Sequence, residues 1–111
     1  MEITLLSEKK TVVVKIQSDL DHHLAVQIRR AVDAKIKNSN AINIIFDFRM
    51  VDFMDSSGIG MLMGRYKMTN ILGGRVVVFG MKKHIKRIID MSGIDKIISI
   101  CDSYEASLKL I

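Results

Sequence analysis

The chain has 111 residues, 49% of them apolar, and a formal net charge of +5. This length suits one domain, so we expect a single domain over residues 1–111. No apolar run approaches the roughly 20 residues that cross a bilayer, and Met1 to Thr4 lacks a signal-peptide layout, which favours a cytoplasmic protein without membrane contact. Cys101 is the only cysteine, which excludes an internal disulfide.

The chain begins with a pattern typical of a β-hairpin. Ile3 and Leu5 alternate with polar residues, and a second alternating run covers residues 12–16 after the polar break Ser7–Lys10. Two such runs on either side of a polar break predict two antiparallel strands.

A helix and a buried strand are predicted next. An apolar residue recurs every four positions opposite charged residues, which indicates an amphipathic helix, and Asp21 is well placed as its N-cap. Residues 38–40 close this helix, and the apolar run 41–48 predicts a largely buried strand. The repeating apolar positions are Leu24, Ile28, Val32 and Ile36.

Residues 49–54 are expected to lead, extended, into a second helix that ends at Leu72–Gly74, because glycine after the last turn readily takes the left-handed conformation. Residues 75–79 then predict a third buried strand. Lys82–Ser92 predicts a third helix, with Ile85, Ile88 and Ile89 facing inward.

The end of the chain predicts a short strand at residues 96–100 and a terminal helix at 103–110, docked by Tyr104 and Leu108.

The excess of basic residues lies in the second half of the chain. Residues 1–55 carry eight basic and eight acidic side chains, whereas residues 56–111 carry nine basic and four acidic ones. Four cations on the third helix supply much of that excess, but a solvated helix face explains them. With no Trp and only two Tyr, we expect no direct nucleic-acid binding.

This order of elements predicts an α/β fold with one mixed sheet, in which an antiparallel hairpin precedes parallel strands and about four helices cover the sheet. In open sheets of this kind, functional residues collect in loops beyond the carboxyl ends of the strands. Those loops are residues 18–22, 50–58 and 80–82. The first two contain Asp19, Asp21, Asp52 and Asp55, so we expect several carboxylates near Ser56.

The candidate site is the strand-to-helix corner around Asp55, Ser56, Ser57 and Gly58. Ser and Asp are favoured helix caps, so one of the two serines has a structural explanation. Because two adjacent hydroxyls cannot both occupy the cap, the other serine is available for chemistry.

Enzymatic and metal-binding roles are poorly supported. A nucleophilic serine needs a histidine base and an orienting third group, but His22 and His23 are helix neighbours that do not share a face, and the pattern Gly-x-Ser-x-Gly is missing. The histidines lack further ligands at metal-binding spacing. Residues 58–64 only weakly match a dinucleotide-binding loop. We therefore expect no cofactor and no metal.

Gly60 and Gly64 lie one turn apart on the second helix, where each glycine costs about 1 kcal/mol relative to alanine. Close approach of a neighbouring strand would explain them, and so would a docking protein. Met61 nearby offers an adaptable apolar contact of the kind found on partner-binding surfaces.

Phosphorylation fits this corner better than catalysis. A phosphate on Ser56 would lie at a helix N-terminus, where backbone amides and the helix dipole favour negative charge. The modification would add about −1.5 to −2 charge to a region rich in carboxylates.

The segment Phe53–Gly60, continued by Gly64–Lys67, resembles the motif of the STAS-domain anti-sigma factor antagonists, especially the sporulation members that act on the anti-sigma F factor. The likeness extends over nearly the whole chain and includes Leu20–His23, Gly73–Gly74 and Lys86–Gly93. One departure is that Ser18–Asp21 replaces the Gly-Glu-Leu-Asp usual in that family, which leaves the role of Asp19 open.

The resemblance implies a STAS fold and a non-enzymatic partner switch. The unmodified protein would bind an anti-sigma serine kinase and so free a sigma factor; the kinase would phosphorylate Ser56, and a serine phosphatase would reverse this. The free protein would be a monomer. The partner-binding residues predicted for this chain are Asp21, Asp55, Ser56, Ser57, Gly58, Gly60, Met61 and Gly64. The alternatives are a stress-response antagonist with the same switch and, in another class, a small nucleotide-binding protein.

Overall fold

The computed structural model of the chain describes residues 1–111 and contains one five-stranded sheet with strands in the order β1-β2-β3-β4-β5. The strands are β1 (Glu2–Leu6), β2 (Thr11–Lys15), β3 (Asn43–Asp47), β4 (Val76–Phe79) and β5 (Ser99–Cys101). The helices are α1 (His22–Ser39), α2 (Ser56–Leu72), α3 (Lys83–Ser92) and α4 (Tyr104–Leu108). Strands β1 and β2 pair antiparallel and all other neighbours pair parallel. The predicted fold class and hairpin are therefore confirmed.

The two faces of the sheet are covered differently. Because side chains alternate along a strand, Ile44 and Phe46 of β3 pack in the large core with α1, α2 and α3, whereas Ile45 packs on the opposite face. That opposite face is covered by α4 and the C-terminal residues, and the predicted docking by Tyr104 and Leu108 is confirmed. None of the helices combines the length and apolarity that crossing a bilayer would require.

Several element boundaries differ from the predictions. Residues 49 and 50 form a turn instead of an extended segment, closed by a hydrogen bond of 3.0 Å from the Val51 N–H to the Phe48 carbonyl. The final strand is Ser99–Cys101 rather than 96–100, because Ile94 and Ile98 both enter the core four residues apart and residues 94–96 form a 3₁₀ turn. The last helix begins after Ser103, whose side chain caps it, and ends at Leu108.

The prediction that Ile88 faces inward is wrong. Ile88 is 36% exposed, while Ile85 and Ile89 are completely buried. Ile85 and Ile89 lie four positions apart and occupy one helix face, whereas Ile88 lies at the edge of that face.

Asp47 ends β3 and is buried against Arg49, whose side chain lies over the Phe79 ring. Burial by itself would raise the pKa of Asp47, but hydrogen bonds of 2.7–3.0 Å from the side chain and backbone N–H of Arg49, together with its positive charge, lower the pKa below the usual 3.8. A carboxyl with a lowered folded-state pKa stabilises the fold above its unfolded pKa, and this stabilisation is lost as the pH falls toward the folded-state pKa.

We therefore expect the free energy of unfolding to decrease between about pH 5 and pH 2 more steeply in the wild type than in Asp47→Asn. Urea unfolding curves at several pH values in this range measure the difference. Equal slopes for the two proteins would show that Asp47 contributes no pH-dependent stability.

Candidate functional site

The loops that precede α1 and α2 lie side by side. Leu20 and Met54 form an isolated parallel bridge, with hydrogen bonds of 2.9 Å from the Leu20 N–H to the Phe53 carbonyl and 3.3 Å from the Asp55 N–H to the Leu20 carbonyl. The expected convergence of these two loops at one edge of the sheet is thus confirmed. Each of the two helices begins two residues after the bridge.

An aspartate caps each helix. Asp21 Oδ1 accepts a hydrogen bond of 2.9 Å from the Leu24 N–H, and Asp55 Oδ1 accepts one of 2.8 Å from the Ser57 N–H. The predicted cap at Asp21 is confirmed. The prediction that one of the two serines caps α2 is wrong. Asp55 occupies the cap position, so neither serine hydroxyl is needed there.

The two serines differ in environment. Ser56 is the first residue of α2; it is exposed and its hydroxyl makes no hydrogen bond within the protein. Ser57 is half-buried, and its Oγ lies 3.3 Å from His22 Nδ1. Ser56 therefore presents the free hydroxyl of the pair.

The Ser57–His22 contact was not predicted, since these residues are 35 positions apart. Their proximity follows from two adjacent helix starts on neighbouring parallel strands. This hydrogen bond is the only one that the His22 ring makes, so no third group orients the ring as a catalytic triad requires. No group of three or more His, Cys, Asp and Glu side chains is arranged to hold a metal ion.

The remaining acidic residues of the edge have separate surroundings. Asp52 pairs with Lys82 at the start of α3, and a hydrogen bond from Lys82 and its charge lower the pKa of Asp52. Asp19 is exposed. The carboxylates thus lie on loops that meet at one edge, but each of Asp21, Asp52 and Asp55 already has a positive or amide partner.

Close packing explains why position 58 is a glycine, which the sequence did not indicate. A Cβ at this position would lie 2.4 Å from Met54 Cγ and 3.1 Å from Leu20 Cδ2. Only glycine therefore lets the first turn of α2 close over the Leu20–Met54 bridge without displacing these side chains. Gly58 is buried and acts on the site by positioning the serines.

Gly60 and Gly64 are different, because a Cβ at either position would meet nothing within 4 Å. The explanation that a neighbouring strand approaches these glycines closely is therefore wrong. The explanation that a docking protein approaches them stays a prediction. Met61 between them is only 4% exposed and packs in the core, so it does not offer the freely exposed contact that was expected.

A groove of about 340 Å³ runs between α1 and α2 beside Ser57. Gly60 and Gly64 leave space on one side, and Met61 contributes to its lining. The lining includes two arginines and no carboxylate. The groove is lined by His22, Ala25, Val26, Arg29, Ser57, Gly60, Met61, Gly64 and Arg65.

Arg65 links the two helices from beneath this groove. Its residue exposure is 6%, and its Nε lies 2.9 Å from Oδ1 of Asp33 on α1. The N–H does not point at that oxygen well enough to form a hydrogen bond, so the contact is an ion pair with misaligned geometry. Burial lowers the pKa of Arg65, and the Asp33 charge opposes this change.

Two large apolar side chains on the loop before α2 are exposed, a feature that the sequence patterns did not predict. Met50 is 49% exposed and Phe53 is 52% exposed. Phe53 lies three residues before Ser56, and its carbonyl is bonded to Leu20, so its place beside the serine corner is fixed. An exposed aromatic ring at this position is a suitable anchor for a protein partner.

We expect Gly60→Ala and Gly64→Ala each to raise the free energy of unfolding by about 0.5–1 kcal/mol, because alanine removes backbone entropy from the unfolded chain and meets no obstacle here. Gly58→Ala on the same helix is the matched control and should not stabilise, since its Cβ collides with Met54. Chemical denaturation measures all three. Destabilisation by the alanines at 60 and 64 would mean that the space beside them is not open.

A family model for the STAS domain matches residues 2–107. Among curated proteins, the chain is 33% identical over 103 residues to the anti-sigma F factor antagonist of Paenibacillus polymyxa, covering 93% of this chain and 88% of that protein. It is 26% identical over 86 residues to the anti-sigma-B factor antagonist of Listeria monocytogenes, covering 77% and 74%.

Two solved structures of SpoIIAA resemble the fold. The anti-sigma factor antagonist SpoIIAA in its unphosphorylated form superposes with a TM-score of 0.77 at 25% identity, covering 96% of this chain and 92% of that one. The phosphorylated form of the Bacillus cell fate determinant SpoIIAA gives the same TM-score at 26% identity, covering 99% and 98%.

Proposed function

The chain belongs to the STAS domain family, and on that premise we propose that it is an anti-sigma factor antagonist controlled by phosphorylation of Ser56. In its unmodified form it binds an anti-sigma serine kinase, which then releases its sigma factor. Similarity to anti-sigma F factor antagonists favours a sporulation sigma factor. Phosphorylation by the kinase ends binding, and a serine phosphatase restores it.

The observation that carries this proposal is the exposed, unbonded Ser56 hydroxyl at the start of α2, beside a cap that Asp55 already fills. A kinase can reach this oxygen without opening the fold. A phosphate there lies at the positive end of a helix of 17 residues, so the modified protein keeps its structure.

The docking surface is the edge formed by the two joined loops. Asp21, Asp55 and the two serines provide its polar part, and Phe53 with Met50 provides exposed apolar area close to the hydroxyl. An aromatic anchor surrounded by polar groups is the usual composition of an interface centre and its rim. Gly58 contributes by holding α2 against the bridge.

Energetic considerations support a position of Ser56 within the contact area. Switching a partner from almost fully bound to almost fully free needs about 5.5 kcal/mol. A charge on the exposed surface away from the contact supplies only about 1 kcal/mol or less. The phosphate therefore acts inside the area that the partner covers. It weakens binding by occupying space and by placing two negative charges against partner groups that do not pair with them.

We further propose that the protein has no catalytic activity or cofactor of its own, that residues 1–111 form one domain, and that the free protein is a cytoplasmic monomer. The contact between His22 and Ser57 does not supply a triad, which supports the non-enzymatic role.

The test is incubation with candidate anti-sigma kinases of the sporulation and stress-response types and ATP, followed by peptide mapping. We expect phosphate on Ser56 in the wild type and in Ser57→Ala, and none in Ser56→Ala. The kinase type that forms a complex separates the two sigma-factor alternatives. Phosphate on any other residue would overturn the site, and tight nucleotide binding by the chain alone would favour the nucleotide-binding alternative.

A further inference from the structure

The groove between α1 and α2 carries an unbalanced positive charge. Arg29 on its rim is exposed and forms no ion pair, and Arg65 lies within its lining. No carboxylate lines the groove itself, although Asp33, one turn after Arg29 on α1, pairs with Arg65. A negatively charged group entering the groove would therefore meet two guanidinium groups and a net positive charge, since Asp33 offsets only one of them.

Arg65 also lacks acceptors. A guanidinium group has five N–H donors, yet Nε and Nη1 of Arg65 are buried without a hydrogen-bond partner. Buried donors are normally satisfied, since leaving one unpaired costs about 1–3 kcal/mol. Because Arg65 belongs to the lining, an acceptor that enters the groove is the kind of group that these donors lack.

The shape of the groove suits a helix. Gly60 and Gly64 leave open space one turn apart, so another helix can approach the α2 backbone closely along this line. The two glycines also weaken α2 as an isolated helix, which indicates that the space has a use. Ser57 borders the groove next to Ser56, so a protein that covers the acceptor serine extends naturally into it.

We propose that this groove receives a helix of the docking kinase that carries a glutamate or aspartate, whose carboxylate pairs with Arg29 and Arg65. The identity of the partner rests on the proposed function, whereas the acidic chemistry rests on the groove itself. The groove thus adds a second contact, distinct from the phosphorylated corner, that selects partners with an acidic helix.

The groove chemistry is tested without any kinase. The ¹⁵N-labelled full-length chain is titrated to millimolar concentrations with a synthetic amphipathic helical peptide carrying two glutamates one turn apart, and with the same peptide carrying glutamines. We expect saturable NMR shifts at the Gly60 and Gly64 amides and at the Arg65 Nε–H with the glutamate peptide only. Absence of these shifts, equal shifts with the glutamine peptide, or the same shifts produced by inorganic phosphate or ATP but not by the peptide would overturn the inference.

A second experiment measures the affinity of the kinase for two variants of this chain, each with one reversed charge on α1. Arg29→Glu should weaken binding by about tenfold or more, because it places a negative charge in the path of the acidic helix, while Arg30→Glu outside the groove lining should change it less than about threefold. Gly64→Leu should also weaken binding without lowering stability, since it fills open space. Equal effects of the two reversals would overturn the inference. If no kinase binds the wild type, the proposed function fails while the peptide titration still decides the groove.

Discussion

Ser56→Asp is expected to weaken binding to the anti-sigma kinase by about 100-fold or more, because a fixed negative charge would be buried in the contact area against groups that do not pair with it. The substituted side chain lies at the first position of α2, where the helix dipole favours a carboxylate. The far-UV circular dichroism and melting temperature should therefore stay those of the wild type. Isothermal titration calorimetry against the kinase measures the loss.

Two controls separate charge at Ser56 from other causes. Ser56→Ala removes only the hydroxyl and should weaken binding by at most about tenfold, the value of one hydrogen bond. Asn70→Asp adds the same charge near the other end of α2, on an exposed residue, and should leave the dissociation constant nearly unchanged. A loss of folding in Ser56→Asp, or an equal loss of affinity in Asn70→Asp, would contradict the proposed switch.

Gly74→Ala is expected to lower the free energy of unfolding by about 3 kcal/mol or more, at the upper end of the cost of overpacking. A Cβ at this position would lie 1.7 Å from the Ile42 carbonyl oxygen and 2.4 Å from the Ile42 carbonyl carbon. The backbone here has little freedom to move, because the Ile42 and Asn43 N–H groups both donate to the Lys10 carbonyl. Urea unfolding of the purified variant measures the change.

The neighbouring glycine provides the control. Gly73 ends α2 at a φ of +82°, and a Cβ there would meet nothing within 4 Å. Because asparagine tolerates the left-handed conformation, Gly73→Asn should cost less than about 1 kcal/mol. Similar losses for the two variants would show that conformation, rather than close approach to β3, determines the cost at position 74.

Gly73 and Gly74 show what could be predicted from the sequence and what could not. The end of α2 at residues 72–74 was predicted from the rule that glycine closes helices, and the structure confirms it. The sequence could not assign different roles to Gly73 and Gly74, because the clash at 74 involves a carbonyl more than 30 residues away.

The candidate site shows the same division between local features, which the sequence predicts, and contacts between distant segments, which it does not. Asp21 was recognised as a cap because capping is local, and the serine corner was located because it joins a buried strand to a helix. The choice of Asp55 over a serine as the cap of α2, the Ser57–His22 contact and the burial of Met61 did not follow from the sequence. Each depends on how the start of α2 sits against the Leu20–Met54 bridge, which only the packed sheet determines.

The sequence by itself therefore determined the order of strands and helices, the mixed sheet and the position of the serine corner, because hydrophobic periodicity and capping act within a few residues. The tertiary structure decided which hydroxyl is free, which glycines face open space and that Arg65 lies beside a basic groove. These properties arise between segments distant in sequence, where α1 and α2 meet, and no local pattern encodes the distance between them.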